Sequence, residues 1–145
     1  MESQFITSLV DTFLHKGSYF LFKEKLDGGA LSKMIQAFHT ELSEKFCQYT
    51  IYCVAMAIKD LHDSNIIHRD IQSANVFYTE DGLIKIHDLS FATYLPSDEA
   101  QPLTEKVGDE GCAAPEILES QPYGKSADIW SLGVFAYELA TGSCP

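Results

Sequence analysis

Apolar positions recur along the chain in blocks whose spacing alternates between two and three-to-four residues. Residues 6–13 are apolar and β-branched, Lys16-Gly17-Ser18 supplies a turn, and Tyr19-Phe20-Leu21-Phe22 resumes the apolar run. Two such runs around a short turn predict an antiparallel hairpin. Asp27-Gly28-Gly29 breaks the pattern, and residues 30–37 restart it as a short helix. The longest periodic stretch covers residues 42–62. There Phe46, Tyr49, Cys53, Ala57 and Leu61 fall at steps of three and four, with Thr50, Val54 and Ile58 alongside. This predicts a helix with a broad apolar face.

Residues 66–71 are short and extended in character. Val76-Phe77-Tyr78, Asp81-Gly82 and Leu83-Ile84-Lys85-Ile86 predict a second hairpin, turned at the Asp-Gly step. Residues 90–111 read as a loop, with Pro96, Pro102, Gly108 and several acidic side chains. A loop of that length inside a compact domain is often functional. Residues 127–140 then carry Ile129, Trp130, Leu132, Val134, Phe135, Tyr137 and Leu139. A helix apolar on nearly every side predicts a central element buried all round, stopped by Gly142 and Pro145. Few elements remain in the sequence to surround such a helix.

Composition narrows the picture. The chain has 145 residues, 46% hydrophobic and 21% charged, which suits one domain with a real core and excludes a disordered composition. The net charge of −11, with a pI near 4.7, argues against nucleic-acid or anionic-membrane binding and is compatible with basic protein partners. No apolar run reaches about 18 residues, and no signal-peptide pattern opens the chain, so no membrane span and a cytoplasmic location are expected. Cys47, Cys53, Cys112 and Cys144 form no C-x-x-C pair and no zinc-like spacing with histidine, which predicts reduced, mostly buried thiols.

The candidate chemistry lies between residues 68 and 90. In His68-Arg69-Asp70-Ile71-Gln72-Ser73-Ala74-Asn75, a carboxylate able to accept a hydroxyl proton precedes, by five positions, an amide able to ligate a divalent cation. Asp88-Leu89-Ser90 follows the predicted strand, Ala114-Pro115-Glu116 comes later, and Asp128-Ile129-Trp130-Ser131-Leu132-Gly133 opens the last helix. This order resembles the protein kinases, with H-R-D-x-x-x-x-N, D-F-G and A-P-E in register. Asp27-Gly28-Gly29-Ala30-Leu31, the stretch from Leu61-His62 to Ser73, and Tyr123-Gly124 are similar to PAK-like Ser/Thr kinases of the STE group.

The resemblance implies a partial α+β protein-kinase-like fold. Residues 1–26 would be the end of the N-lobe, two strands and a hinge. Residues 27–145 would be a mainly helical, incomplete C-lobe through helix F. It implies transfer of the ATP γ-phosphate to a protein Ser/Thr hydroxyl, with ATP and Mg²⁺ as cofactors and a protein substrate or regulatory protein as partner. Asp70 would be the catalytic base, and Asn75 and Asp88 would hold Mg²⁺. Glu24 and Leu26 would meet adenine through hinge backbone groups, and Phe77 would floor its pocket. Asp128 would brace the catalytic loop.

Departures from the family pattern accompany this. No G-x-G-x-x-G and no V-A-I-K-like strand occur in the sequence, so the chain alone is expected to be inactive and to be the central portion of a domain. Gln72 stands where Ser/Thr kinases have a phosphoryl-neutralising lysine. Ser90 replaces the glycine of D-F-G, whose backbone freedom serine lacks. Asp109 aligns with a threonine that joins that lysine and aspartate, and is expected to face Asp70 with like charge. These substitutions keep open an alternative, a pseudokinase or scaffold that binds a protein partner, beside the less favoured reading of an independent non-enzymatic module. Glu116 is expected to lack its usual arginine partner. Thr93, Ser97 and Thr104 are candidate phosphosites for Arg69, and Asp98, Glu99 and Glu105 candidate fixed negative charges for it.

Overall fold

A computed structural model describes residues 3–95 and 102–145. Pro96, Ser97, Asp98 and Glu99 lie outside the described residues, and so do the expectations placed on them.

The first predicted hairpin forms, shifted along the chain. Strand β1 spans Leu9–His15 and β2 spans Ser18–Lys23, paired antiparallel with Phe13 opposite Phe20. Lys16 and Gly17 both take positive φ (50° and 80°), the two-residue turn whose twist suits a hairpin. Ile6 is not in this ribbon, as the β-branched run had suggested. It is buried and bridges Ile86, with Thr7 N–H donating to Ile86 O at 2.9 Å.

Strand β3 (Gly29–Ala30) adds to the edge of β5 (Val76–Tyr78), which pairs with β6 (Ile84–Ile86) as the Asp-Gly turn predicted. Gly82 in that turn has φ 85°. Gly28 is required by space: a Cβ there would lie 2.3 Å from the Tyr78 ring and 2.6 Å from its carbonyl. Helix α1 (Leu31–Phe38) follows and buries Leu31 and Ile35.

Helix α2 (Glu44–Asp63) starts at Ser43, whose hydroxyl accepts Phe46 N–H at 3.2 Å. Its buried face is Thr50, Cys53, Val54, Ala57, Ile58 and Leu61, nearly the set its period predicted. The exceptions are Phe46, half-buried against the core, and Tyr49, exposed at the rim. Strand β4 (Ile66–Ile67) leaves this helix and pairs with β7 (Thr93–Tyr94), and Leu103 bridges Tyr123. The region expected to be all loop therefore contains short pairings, which are too brief to leave a periodic signal.

Helices α3 (Pro115–Leu118) and α4 (Ser126–Thr141) complete the chain. α4 corrects the expectation of all-round burial. Ala127, Asp128, Ser131, Phe135 and Leu139 form its buried stripe, whereas Ile129 (54%), Trp130 (52%) and Tyr137 (49%) are exposed. One core packs Phe135 and Leu139 with α1, α2 and the β5–β6 hairpin; a second gathers Ile67, Ala114, Ile117, Tyr123 and Ala127. All four cysteines are free thiols; Cys53 and Cys112 are buried as expected, but Cys144 is exposed.

This division of α4 predicts unequal costs for its apolar residues. Phe135→Ala should destabilise the chain by about 3–5 kcal/mol, whereas Ile129→Ala should cost under about 1 kcal/mol. Denaturant unfolding measures both. Equal costs would contradict the one-sided burial.

Candidate active site

The site is built on the turn that follows β4. Asp128, at the start of α4 and fully buried, reaches across to it. Its Oδ1 accepts Arg69 N–H at 2.9 Å, and its Oδ2 accepts His68 N–H at 2.9 Å and meets His62 Nε2 at 2.7 Å. Burial pushes the Asp128 carboxyl up, but the bond to His62 and the two backbone N–H groups outweigh it and hold the group below the usual carboxylate range. Arg69 takes φ 69°, a left-handed conformation that a non-glycine residue occupies at a cost of about 1–3 kcal/mol. His68 is buried, and desolvation lowers its imidazole below the ordinary range, so it stays neutral; its Nδ1 accepts Asp70 N–H at 3.2 Å.

The Asp70 carboxylate emerges from this braced turn and collects three donors. Gln72 Nε2 donates to Oδ1 at 2.8 Å, Asn75 Nδ2 to Oδ2 at 2.6 Å, and Asp109 N–H to Oδ1 at 2.9 Å. Asn75 is placed by a 3-10 turn (Ser73–Asn75) and also donates to Asp70 O at 2.9 Å. The expected confrontation of carboxylates takes another form. Asp109 offers Asp70 its backbone amide and turns its own side chain onto Gly111 N–H at 2.9 Å. Gly108 permits this approach, since a Cβ there would fall 2.3 Å from Arg69 O.

Asp88 stands beyond β6. Its Oδ1 accepts both the hydroxyl (2.6 Å) and the N–H (3.0 Å) of Ser90, and the Ser90 hydroxyl leads the causes that hold Asp88 below its usual range. Ser90 is not among the residues with positive φ, so serine fits this turn without the strain its replacement of glycine suggested. A cavity of about 260 Å³ opens beside Asp88, lined by Leu9, Leu21, Lys23, His87 and Ser90 among others. The Lys23 ammonium, which the motif reading overlooked, donates to His87 O at 2.9 Å and helps to lower Asp88. Its signal was a lone charge closing an otherwise apolar strand.

Neither predicted hinge residue, Glu24 or Leu26, is among the described residues that line this cavity. Burial raises Glu24, but bonds from Lys85 Nζ (2.6 Å) and Ser8 N–H (2.7 Å) prevail and lower it. Both bonds fall on Oε1, and the Glu24 backbone N–H donates to Ser8 O at 3.0 Å. Leu26 is largely buried, with its carbonyl accepting Gly29 N–H at 3.3 Å. Phe77 packs on the His87 ring at a centroid distance of 4.3 Å. Asp70, Gln72 and Asn75 are thus brought into direct contact, whereas Asp88, Phe77, Glu24 and Leu26 surround the β2–β6 side.

Arg69 closes the site toward the long connection. Its Nη1 pairs with Glu105 and donates to Tyr123 Oη, both at 3.0 Å, while Nε donates to Phe91 O at 2.6 Å. Glu105 therefore supplies the fixed negative charge proposed for it. Glu116 is half-buried at the start of α3, and no ion pair to it occurs among the described residues.

The structure thus holds a braced H-R-D turn, an asparagine folded onto the aspartate, and a carboxylate after the hairpin. A family model for the protein kinase domain matches residues 1–145. The chain belongs to the protein kinase family. It is 33% identical over 140 residues to the serine/threonine-protein kinase PAK 5 of Rattus norvegicus, covering 97% of this chain and 19% of that protein. It is 32% identical over 140 residues to human serine/threonine-protein kinase PAK 4, covering 23% of that protein. Serine/threonine-protein kinase CST20 of Candida albicans matches at 33% over 142 residues. The STE-group, PAK-like resemblance is borne out, and the chain spans about a fifth of the length of these PAK relatives. Among the described residues, no helix is long and apolar enough to cross a membrane.

The kinase catalytic loop should therefore depend on Asp128. Asp128→Ala leaves two backbone donors without their acceptor and should cost about 3–5 kcal/mol. Because the folded carboxyl is depressed, its contribution is present above the unfolded value of about 3.9 and is lost as pH falls through the folded value. The stability gap between the parent and Asp128→Asn, measured by denaturant titration, should narrow on strong acidification, as pH falls through the carboxylate range. A gap that widened in acid would refute the assignment.

Proposed function

We propose that this chain supplies the catalytic loop and metal-binding carboxylate of a protein Ser/Thr kinase, which transfers the γ-phosphoryl group of ATP to a protein hydroxyl. The observation that carries this reading is the orientation of Asp70 by Gln72, Asn75 and the Asp109 amide on a turn fixed by Asp128. Asp70 accepts the proton of the substrate hydroxyl, and the three donors aim its oxygens. Residues 1–26 serve as the N-lobe end and hinge and residues 27–145 as the C-lobe. The backbone of Glu24 and Leu26 meets adenine, over Phe77.

The residues fit Mg²⁺. No cluster of three or more His, Cys, Asp or Glu suited to a metal occurs among the described residues, but Mg²⁺ commonly takes one or two carboxylates and completes its octahedron with water and phosphate oxygens. The bonds from Ser90 favour the ionised form of Asp88 that a ligand needs, and Asn75 uses its amide nitrogen on Asp70, which directs the carbonyl oxygen elsewhere. When bound, Mg-ATP supplies the transferable group and neutralises its developing charge. No Gly-rich loop or β3-type lysine lies in this sequence, so on this reading the 145 residues by themselves do not turn over.

One observation favours a second reading, a non-catalytic kinase-like protein that binds a protein partner. Gln72 is neutral and spends its amide on Asp70, where the family pattern has a lysine that faces phosphate. The longest expressed form of the protein distinguishes the two in a peptide phosphorylation assay. On the kinase reading, Asp70→Asn lowers transfer by about 10²–10⁴-fold, and Gln72→Lys raises it. Absence of transfer in the parent and in Gln72→Lys alike would favour the second reading.

A further inference from the structure

Cys112 and Cys144 are 32 positions apart, yet their Sγ atoms lie 3.8 Å from each other. A disulfide needs about 2.05 Å, so closure asks the two sulfurs to approach further. Cys144 can provide that approach. It is exposed, beyond the α4 cap at Gly142, and its Sγ rests against Gly111 O at 3.5 Å. Cys112 is the fixed half. It is buried, its N–H donates to Asp109 O at 3.1 Å, and its carbonyl accepts Ser131 Oγ at 2.8 Å.

We propose that Cys112 and Cys144 are a covalent modification site, an oxidisable dithiol that ties the turn beside Asp70 to the C-terminal end of α4. The chemistry is thiol–disulfide exchange with a small-molecule disulfide such as oxidised glutathione. The exposed Cys144 thiolate attacks one sulfur, forms a mixed disulfide and releases a first glutathione thiolate. The Cys112 thiolate then attacks the Cys144 sulfur and releases the second. The protein loses two electrons and two protons, and the glutathione disulfide becomes two thiols. The order follows from environment. Burial, then the hydrogen bond and charge of Cys144, push the Cys112 thiol up to about 12, with Asp109 and Glu138 adding to this. The mixed disulfide removes the Cys144 contributions at the moment when Cys112 must ionise.

The consequence falls on the catalytic loop. The turn from Asp109 to Cys112 begins with the amide bonded to Asp70, so the closed disulfide holds that amide in place. Such intracellular disulfides are typically transient or redox-sensing. The proposal stands independently of catalysis.

The test is on the unaltered chain, reduced, treated with oxidised glutathione, alkylated and mapped without reductant. Expected are loss of two of the four thiols, one linked peptide pair joining Cys112 to Cys144, monomeric protein, and full reversal by dithiothreitol. Cys112→Ser should arrest at a glutathione adduct on Cys144, and Cys144→Ser should leave Cys112 unmodified. A stable glutathione adduct on Cys144 of the parent chain, a disulfide-linked dimer, or pairing with Cys47 or Cys53 would each overturn the proposal. The mapping on the parent decides the matter even where a serine variant fails to fold.

Discussion

The carboxylate of Asp128 is the constraint from which the site follows. A buried charge is costly unless its lone pairs are met, and here they are met by His62 on α2 and by two successive amides of the catalytic loop. The two amides can converge on one carboxylate only because the chain bends sharply at Arg69, whose left-handed φ of 69° would otherwise be avoided. Strain and bracing are thus one feature. The bend also sends the Arg69 side chain out toward Phe91, Glu105 and Tyr123 while Asp70 turns inward to Asn75. One buried charge on α4 therefore sets both the aspartate and the contact to the long connection.

The substitutions that depart from the kinase pattern change charge more than geometry. Gln72 reaches Asp70, Ser90 caps Asp88 at negative φ, and Asp109 replaces a side-chain link by a backbone one. Each polar group finds a local partner, so none of the three destabilises the fold by leaving a buried donor unmet. What is lost is a positive charge next to the position a phosphoryl group would occupy. Lys23 places an ammonium on the other side of Asp88, bonded to His87 O. The balance of charge around the cleft differs from the family pattern while the scaffold of the loop is retained.

Sequence alone made legible whatever rests on local spacing. The period of α2, the Asp-Gly turn and the ordered motifs point to the H-R-D loop and its Asp128 brace, and leave Glu105 as one of three acidic candidates for Arg69. Features that depend on distant neighbours were not legible. Apolar composition cannot distinguish Phe135, fully buried, from Trp130, half exposed, because both satisfy the same helical pattern. The two-residue pairing of β4 with β7 is shorter than any detectable period. The Asp109 conflict was misjudged because a residue-level alignment assigns the contact to the side chain, whereas the backbone amide makes it. Cys112 and Cys144 carry no common motif, and only the return of the chain after α4 brings them together.

Stability is distributed unevenly across this arrangement. The catalytic loop is enclosed by α2, α4 and the β5–β6 hairpin, with Ile58, Leu61, Ile71, Ile86 and Phe135 almost wholly buried. The β1–β2 ribbon is exposed along both strands, with Leu9, Val10, Leu14, Tyr19 and Leu21 all more than half accessible. An isolated two-stranded hairpin is marginal in water. Among the described residues, polar links at the foot attach this one: the Ile6–Ile86 bridge, Thr7 on Ile86 O and His87, Lys23 on His87 O, and the Glu24–Lys85 pair. The link from Lys23 to His87 borders the cavity beside Asp88. The β1–β2 side of the cavity beside Asp88 therefore draws its order from polar contacts at the foot of the ribbon, and opens at lower free energy than the core does. The Asp70 geometry, fixed from behind by Asp128, does not share that dependence.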